Sequence, residues 1–269
     1  MYKRQISYYF YAIFEQGESV KLEDTFFQFN ELFGLPVDLL VGQFQISDPL
    51  FKRELRLERN DYTIFKTRVG ALPTNLTYDR GMVLTWHAPA EIEVIGQLVN
   101  GNGIEPAENG AFDDNDFKNT ALRLSRQFGP VRVGAFGYWG KEELTDGPSS
   151  KVTYLGPDLA VALSEKWQVN AIYLERSDED PFLLGHTGPD FETNGGFAEL
   201  LFLPAGADGR WAIAALYNKV DSDVAESRAE NVSLTLSYLL GRNMRANGEI
   251  YHDLGLDDDR VSFGLIAAF

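Results

Sequence analysis

The sequence contains no cysteine. Disulfides, thiolate nucleophiles, cysteine-bound zinc and covalent c-type haem are therefore excluded together. The chain is also short of basic residues, with 24 Lys and Arg against 40 Asp and Glu and a formal net charge of -16. Because the phosphates of nucleic acids demand a basic surface, DNA and RNA are poor candidates for a partner.

Long hydrophobic runs are missing as well. No stretch approaches the roughly 20 consecutive apolar residues that a membrane-spanning helix needs, and the mean hydropathy is -0.22. The three histidines are scattered, and neither Gly-x-Ser-x-Gly nor His-Glu-x-x-His occurs in the sequence. We therefore predict no enzymatic activity, no catalytic residues, no metal and no cofactor.

What the chain does have is aromatic residues, at 13%, and 25 glycines, a mixture typical of strands, tight turns and interfacial aromatic bands. A length of 269 residues fits two ordinary domains or one all-β barrel over residues 1–269. Fourteen segments have the length of a tilted membrane strand. They are 4–15, 20–31, 35–46, 78–87, 91–101, 117–127, 130–140, 151–163, 166–176, 193–203, 209–219, 229–240, 243–253 and 259–269.

Several segments alternate between apolar and polar residues. Between 231 and 240 the even positions are apolar or aromatic and most odd positions are polar, which suits lipid outside a barrel and water inside. The same parity predicts that Arg123, Arg132, Arg245 and Glu249 face the lumen. A soluble β-sandwich also alternates, but its strands usually have about 5 or 6 residues. The longer segments favour a transmembrane, antiparallel up-and-down β-barrel.

The last nine residues, Val261–Phe269, place Phe263, Leu265 and Phe269 on one face of a strand. A strand with a terminal Phe resembles the signal by which the barrel-assembly machinery recognises outer-membrane barrels, and it could also close a soluble sheet. Counted back from Phe269, short connections fall on one side and most long ones on the other, as in barrels of the bacterial outer membrane. Residues 5–15 read as a strand without a cleavage site, so an export signal is expected to be removed or missing.

The connection 47–77 is far too long for a hairpin, and such loops usually have a function. From 47 to 81 it carries seven basic residues against five acidic ones, although the chain as a whole is acidic. A pore constriction that selects anions has such basic side chains. Equally, the charges could pair with each other and brace the loop. The basic candidates are Lys52, Arg53, Arg56, Arg59, Lys66, Arg68 and Arg80.

A family resemblance is carried by four short motifs. They are Val41-Gly42-Gln43-Phe44, Asp48-Pro49-Leu50-Phe51, Arg53-Glu54 and Tyr78-Asp79-Arg80-Gly81. Together they resemble the core motif of the phosphate-selective porins O and P, mainly over residues 35–102. The resemblance implies a water-filled barrel of about sixteen strands, usually a trimer, in which this loop folds into the pore. The sequence departs from the family pattern in two places. The family often has a Lys shortly after the Gly-x-Phe element, whereas Gln45 and Ile46 follow Phe44 here, and the family's Arg-Asp pair appears in the order Asp79-Arg80.

These observations predict an outer-membrane porin. The expected partners are membrane lipid and lipopolysaccharide, small anionic solutes such as phosphate, and two further copies in a homotrimer. Fourteen or sixteen strands both permit antiparallel closure. The alternative is a β-barrel scaffold or sheath around an envelope component, such as a multihaem cytochrome in an electron-transfer conduit.

Overall fold

The structure is a computed structural model that describes residues 6–13, 21–51, 62–104, 117–143, 147–242 and 244–267. Within these residues, fourteen strands form one antiparallel sheet in which each strand pairs with the next along the chain. The strands are β1 (Ile6–Ile13), β2 (Lys21–Phe29), β3 (Val37–Gln45), β4 (Tyr78–Ala88), β5 (Ile92–Val99), β6 (Asn119–Phe128), β7 (Val131–Glu143), β8 (Ser149–Ala162), β9 (Trp167–Asp178), β10 (Phe191–Phe202), β11 (Trp211–Ser222), β12 (Ala229–Gly241), β13 (Met244–Asp253) and β14 (Asp258–Ala267). The fourteen predicted strands are confirmed.

Helical structure is confined to short turns in the part of the chain that the structure describes. The helix α1 (Thr63–Lys66) lies between β3 and β4, and 3-10 turns occupy Leu32–Gly34 and Ala225–Ser227. No described helix has the length and apolar character needed to cross a membrane.

One connection is shorter than the sequence indicates. The predicted strands 130–140 and 151–163 leave residues 141–150 as a loop, but β7 and β8 continue into it, and Lys141 pairs with Lys151 and Glu142 with Ser150. Charged residues hide the strand pattern here, whereas the backbone ladder needs only amide and carbonyl groups and can continue past them.

The sheet has its polarity reversed relative to a soluble protein. On β12, Leu234 is 50% and Leu236 is 45% exposed, whereas Thr235 is fully buried and Ser237 is 1% exposed. A soluble sheet would bury the leucines, since burial of apolar surface drives folding in water. Exposed apolar residues opposite buried polar ones instead require lipid on the outer face.

Large aromatic side chains form a band on the outer face near one end of the strands. Trp86, Phe128 and Trp167 are each more than a third exposed, and the Trp167 ring stacks on Phe202 with centroids 4.2 Å apart. Such rings favour the boundary between lipid and water, because they combine an apolar body with a polar edge or a polarisable face.

The edges of the sheet are β1 and β14. Among the described residues, no backbone pairing joins them. Every other pair of adjacent strands is consecutive in the sequence. Successive side chains of each strand point alternately to the inner and the outer face of the sheet.

Candidate functional site

The two ends of the barrel differ in their connections. At one end, which we call the short-turn end, the strands are joined by tight links such as 129–130 and 163–166; at the other, the long-loop end, the links include 46–77 and 179–190. The described parts of the first of these long links, residues 46–51 and 62–77, form what we call the inner segment. It lies against the inner face of the sheet.

Apolar residues of the inner segment pack against the barrel wall. Ile64 and Phe65 of α1 are at most 1% exposed. The Tyr62 ring stacks on Phe197 of β10 with centroids 3.8 Å apart, and the Phe51 ring meets the same residue edge-on at 5.4 Å. These contacts bury apolar surface on an otherwise polar lumen wall and so hold the inner segment there.

The hydrogen bonds at the N-terminal part of the inner segment involve two separate strands. Gln97 of β5 donates to the carbonyl oxygen of Ile46 at 2.9 Å. Arg132 of β7 donates to the carbonyl of Leu50, also at 2.9 Å. These side chains satisfy carbonyl groups that have no strand partner, as buried backbone requires.

The start of α1 is fixed by two asparagines of neighbouring strands. The backbone N–H of Thr63 donates to Oδ1 of Asn218 on β11 at 3.1 Å, and Nδ2 of Asn231 on β12 donates to the Thr63 hydroxyl at 3.3 Å. Asn218 in turn donates to Oδ1 of Asn231 at 3.0 Å. The first amides of a helix lack intrahelical partners, and Asn218 is the hydrogen-bond acceptor for one of these amides.

Arg176 of β9 is the most extensively bonded side chain of the site. Its Nη1 donates to the carbonyls of Thr67 and Thr74 at 2.9 and 3.2 Å and to the Tyr154 hydroxyl at 2.6 Å. Its Nε and Nη2 donate to the two carboxylate oxygens of Asp178 at 2.7 and 2.8 Å. Arg176 and Asp178 are both fully buried, so the pair is a fixed attachment point for the inner segment.

Two loops of the long-loop end cover the inner segment. The N–H of Ala71 donates to the carbonyl of Pro181 at 2.8 Å, and the Ser227 hydroxyl donates to the carbonyl of Arg68, also at 2.8 Å. The inner segment is thus bonded both to the wall and to the loops above it.

The loop that contains Pro181 is organised by Asp180. Its carboxylate accepts the backbone N–H groups of Gly185 and His186 at 2.6 and 3.0 Å. Burial alone acts to raise the pKa of Asp180, but the backbone hydrogen bonds outweigh it and lower the pKa below its usual range.

The described contacts attach the inner segment to the wall formed by β5 to β12. Lys66 and Arg68 are exposed, while Ile64, Phe65 and Val69 beside them are buried. Two of the predicted constriction residues are therefore exposed on a segment whose apolar residues are buried.

Arg123 lies on the inner face, as its parity predicts, but its charge is neutralised. It is 1% exposed, and its Nη2 lies 2.7 Å from Oδ1 of Asp158. Its Nη1 lies 3.5 Å from Oε1 of Glu93. A paired and buried guanidinium presents little field to a passing solute.

The remaining predicted lumen charges differ in their surroundings. Arg132 is partly exposed and lies over the Phe51 ring at 5.3 Å. Glu249 is 2% exposed and accepts a hydrogen bond from Thr235 at 2.8 Å. In contrast, Nε and Nη1 of Arg245 are buried without a hydrogen-bond partner among the described residues. Arg245 is thus a basic group with hydrogen-bonding capacity left over near the short-turn end.

Arg80 does not lie where a pore residue is expected. Asp79 and Val83 are buried, and alternation places Arg80 on the opposite, outward face of β4. There its Nε donates to Oε1 of Gln43 at 3.2 Å and its Nη2 to the carbonyl of Ile104 at 2.6 Å. Arg80 therefore braces the outer rim instead of lining the lumen.

Some predicted residues lie outside the described part of the chain. They are Lys52, Arg53, Arg56, Arg59 and Phe269. Of the predicted assembly signal, Phe263 is 81% and Leu265 is 63% exposed, both on the outer face of β14. Their position agrees with an apolar strand that faces lipid.

The three histidines are far apart in the fold. His87 lies 3.0 Å from Asp38 at the short-turn end. His252 lies 3.0 Å from Asp259 at the long-loop end, and His186 belongs to the loop after β9.

Sequence reasoning missed the residues that hold the inner segment. Alternation along the strands places three of these residues on the inner face but does not show what they contact: Arg176, Glu199 and Asn218. Their partners are more than 100 positions away, for example the 109 positions between Arg176 and Thr67, and nothing local in the sequence specifies such a pairing.

Comparison with known proteins identifies the fold. An anion-selective porin from Comamonas acidovorans superposes with a TM-score of 0.66 at 8% identity, with 93% of this chain and 79% of that chain covered. OmpT, an outer membrane protein of Vibrio cholerae, gives 0.66 at 11% identity, with 100% and 86% covered. OmpF of Salmonella typhi, in complex with daunomycin, gives 0.63 at 11% identity, with 100% and 87% covered.

No protein-family model matches the sequence, and no curated relative matches it. Identities this low show a shared fold alone. The prediction of a transmembrane, antiparallel up-and-down β-barrel of the outer-membrane porin type is confirmed, and the bacterial outer membrane is the location that this fold indicates. The finer resemblance to the phosphate-selective porins O and P stays a prediction.

Proposed function

We propose that the protein is a passive diffusion channel for small hydrophilic solutes in the bacterial outer membrane. The observation that carries the proposal is the reversed polarity of the sheet, with leucines exposed outside and polar residues such as Thr235 buried inside. A polar interior is what a water-filled channel requires. No catalytic role is proposed for any residue.

The inner segment is the proposed constriction of this channel. It is bonded to the β5 to β12 wall by Arg176, Asn218 and other polar side chains, so the remaining lumen lies along its other side. Lys66 and Arg68 are exposed on the segment, and Arg245 contributes a further basic group from β13.

A preference for anions, including phosphate, is the finer part of the proposal. Basic side chains at a narrow passage attract anions and repel cations. The support is the exposure of Lys66 and Arg68 beside buried apolar neighbours. Arg123 and Arg80 are left out of this role because their guanidinium groups are engaged elsewhere. Lys52, Arg53, Arg56 and Arg59 stay predicted contributors.

The test is current through the purified protein in planar bilayers under a KCl gradient. We expect stepwise conductance and a reversal potential on the anion-selective side. Replacement of Lys66→Gln and Arg68→Gln together should move the reversal potential towards cation selectivity, because two positive charges leave the constriction.

Lys219→Gln is the matched control for a lost surface charge. Lys219 lies on the outward face of β11 and contacts Asp221 and Glu230 at 3.6 and 3.8 Å, so its removal should leave the reversal potential unchanged. Absence of any conductance would refute the channel; conductance with no shift in the double variant would refute the anion-selecting role alone.

The sheath alternative is less favoured. An inner segment bonded across the β5 to β12 wall takes up interior space that a folded partner would need. Trimer formation, recognition by the barrel-assembly machinery and contacts with lipopolysaccharide stay predictions of this proposal.

A further inference from the structure

A cavity of about 420 Å³ lies near the short-turn end, between the inner segment and the inner faces of β6 to β10. Its volume falls within the range of roughly 300–1,000 Å³ that is typical of small-molecule sites. Leu50, Phe51 and Tyr62 form its inner-segment side, and Gln127 and Pro130 mark its position beside the turn between β6 and β7. The channel proposal assigns no role to this cavity.

A row of hydrogen-bonded polar side chains crosses the strand side of the cavity. Nε2 of Gln168 donates to Oδ1 of Asn170 at 2.8 Å, and Nδ2 of Asn170 donates to Oε2 of Glu199 at 2.6 Å. The Tyr62 hydroxyl donates to Oε1 of Glu199 at 2.9 Å. Because each side chain is held by the next, the row presents its polar atoms in fixed positions.

The row has hydrogen-bonding capacity left over. A carboxylate accepts about four hydrogen bonds, and Glu199, which is 3% exposed, accepts the two just described. Each amide has two N–H donors and an acceptor oxygen, and Gln168 and Asn170 each use one N–H within the row. Donors and acceptors therefore alternate over a short distance, which suits hydroxyl groups because a hydroxyl both donates and accepts.

The rest of the lining is apolar. Leu50 and Phe51 contribute carbon surface from the inner segment, and Ala160 and Leu201 flank the polar row on the strand wall. A sugar ring has the same division, with hydroxyl groups around its edge and C–H groups on its faces. The cavity thus has polar side chains that can bond to the hydroxyl groups of a sugar and apolar side chains that can contact its C–H groups.

The charges of the cavity disfavour an anionic ligand. Asp48 and Glu199 carry negative charge and Arg132 carries positive charge. Nη2 of Arg132 is bonded to the carbonyl of Leu50, whereas its Nε is buried without a hydrogen-bond partner among the described residues. An anion here would lie close to the buried carboxylate of Glu199, and like charges at short range repel each other.

We propose that this cavity binds a neutral polyhydroxylated solute of mono- to disaccharide size. The solute's hydroxyl groups bond to Gln168, Asn170 and Glu199, and its C–H face lies against Leu50 and Phe51. This binding does not depend on conduction through the lumen, so it is tested separately from the proposed channel.

The experiment is equilibrium binding to the detergent-purified protein, measured by isothermal titration with glucose and maltose and, as a charged comparator, gluconate. We expect saturable binding of at least one neutral sugar and weaker binding of gluconate. Gln168→Ala and Glu199→Gln should each weaken sugar binding about three- to tenfold, because each removes or alters one hydrogen-bonding group.

Gln28→Ala is the matched control. Gln28 on β2 also donates to an asparagine two positions further on, Asn30, at 2.8 Å, but it does not line the cavity. Its removal should leave sugar affinity unchanged. Absence of saturable sugar binding in the folded wild type, equal binding in Gln168→Ala and the wild type, or tighter binding of gluconate would each overturn the proposal. A protein that binds sugar but conducts no current would refute only the channel.

Discussion

Arg176 connects three parts of the molecule that are distant in sequence. It joins Asp178 on its own strand, Tyr154 on β8, and the carbonyl groups of Thr67 and Thr74 on the inner segment. Replacing it with an apolar side chain would leave a buried carboxylate and two backbone carbonyls without their partner.

We predict that Arg176→Met lowers the free energy of unfolding by about 3–5 kcal/mol, because breaking a buried ion pair leaves an uncompensated charge. It should also loosen the inner segment and raise single-channel conductance. Urea titration in lipid vesicles measures the first effect and bilayer recording the second.

Arg123→Met is the comparison that separates the two effects. Arg123 is equally buried and paired with Asp158, but its described bonds do not reach the inner segment. We expect lost stability with unchanged conductance. Equal conductance changes in the two variants would contradict a specific attachment by Arg176.

We predict that the stability of the loop after β9 depends on pH through the carboxylate of Asp180. Its pKa is lower in the folded protein than in the unfolded chain, chiefly through hydrogen bonds from backbone amides that overcome the effect of burial. The ionised carboxylate therefore stabilises the folded loop fully above the unfolded value of about 3.9, and this contribution is lost as the pH falls through the lower folded value. Hydrogen-exchange protection of the Gly185 and His186 amides should fall over that acidic window.

Asp180→Asn should remove this pH dependence, because the amide does not ionise. Asp190→Asn provides the control, since Asp190 lies in the same loop and accepts from the Ser177 hydroxyl instead of backbone amides. The loop assignment is wrong if protection in Asp180→Asn still follows the wild-type pH curve.

At this scale, parity predicts which face a residue occupies but not what it touches there. The inward position of Arg123 could be predicted from residues 119–128, whose polar and apolar positions alternate. Its neutralisation by Asp158, 35 positions away, could not. The charge of the connection does not locate Arg80, because β4 begins before this residue and its alternation directs Arg80 outward.

The contact between the inner segment and the loop after β9 requires a residue without a Cβ and with a positive φ at one position. Gly70 has a φ of +61°, and a Cβ there would lie 2.3 Å from the carbonyl oxygen of Pro181. Only a residue without a side chain allows the Ala71 N–H to reach that carbonyl.

We predict that Gly70→Ala separates these two elements and destabilises the protein by more than the roughly 1–2 kcal/mol of left-handed backbone strain alone. The clash with backbone atoms adds to the strain. Thermal unfolding gives the total loss, and limited proteolysis of residues 179–190 shows where it occurs.

Gly185→Ala is the control that measures the backbone strain without the clash. Gly185 has a φ of +75°, but a Cβ there would meet nothing within 4 Å. Its cost should be that of the backbone conformation only. If the two variants lose equal stability, the close approach of Gly70 to Pro181 has no energetic importance.

The elements themselves were largely predictable. Strands with clean alternation, such as β6 and β12, agree with their predicted bounds within about two residues. The errors arose at the long-loop end, where β7 and β8 continue through Lys141 and Lys151. Charged residues at a barrel rim meet water on both faces, so neither periodicity nor polarity marks the end of the strand there.

The orientation of the whole molecule in lipid predicts a depth-dependent cost of charge on its outer face. Leu234 is 50% exposed near the middle of β12. Leu234→Arg should lower the free energy of unfolding by about 2–4 kcal/mol in lipid vesicles, because the bilayer midplane cannot solvate a guanidinium.

Leu240→Arg is the control at the strand end. Leu240 is 46% exposed, close to the short-turn end of the same strand, and the expected loss near the interface is only about 0–1 kcal/mol. Equal losses at the two positions would mean that the outer face does not span a bilayer.

The barrel was predictable because two weak signals agreed. Alternation alone fits a soluble sheet, and connection lengths alone fit many folds. Here both signals indicate a barrel, because the alternation places Leu234 on the outer face and the tight links lie at one end of the strands. The solute could not be predicted, because the lumen is shaped by the inner segment, and its contacts with Arg176 and Asn218 depend on the folded barrel.

The attachment of the inner segment to β5 to β12 also constrains the order of folding. Residues 46–77 precede these strands in the chain, yet their partners range from Gln97 to Asn231. The inner segment therefore cannot reach its final place until the later strands have joined the growing sheet. Its last contact in chain order is with β12, so the narrowing of the lumen is among the later features of the barrel to be completed.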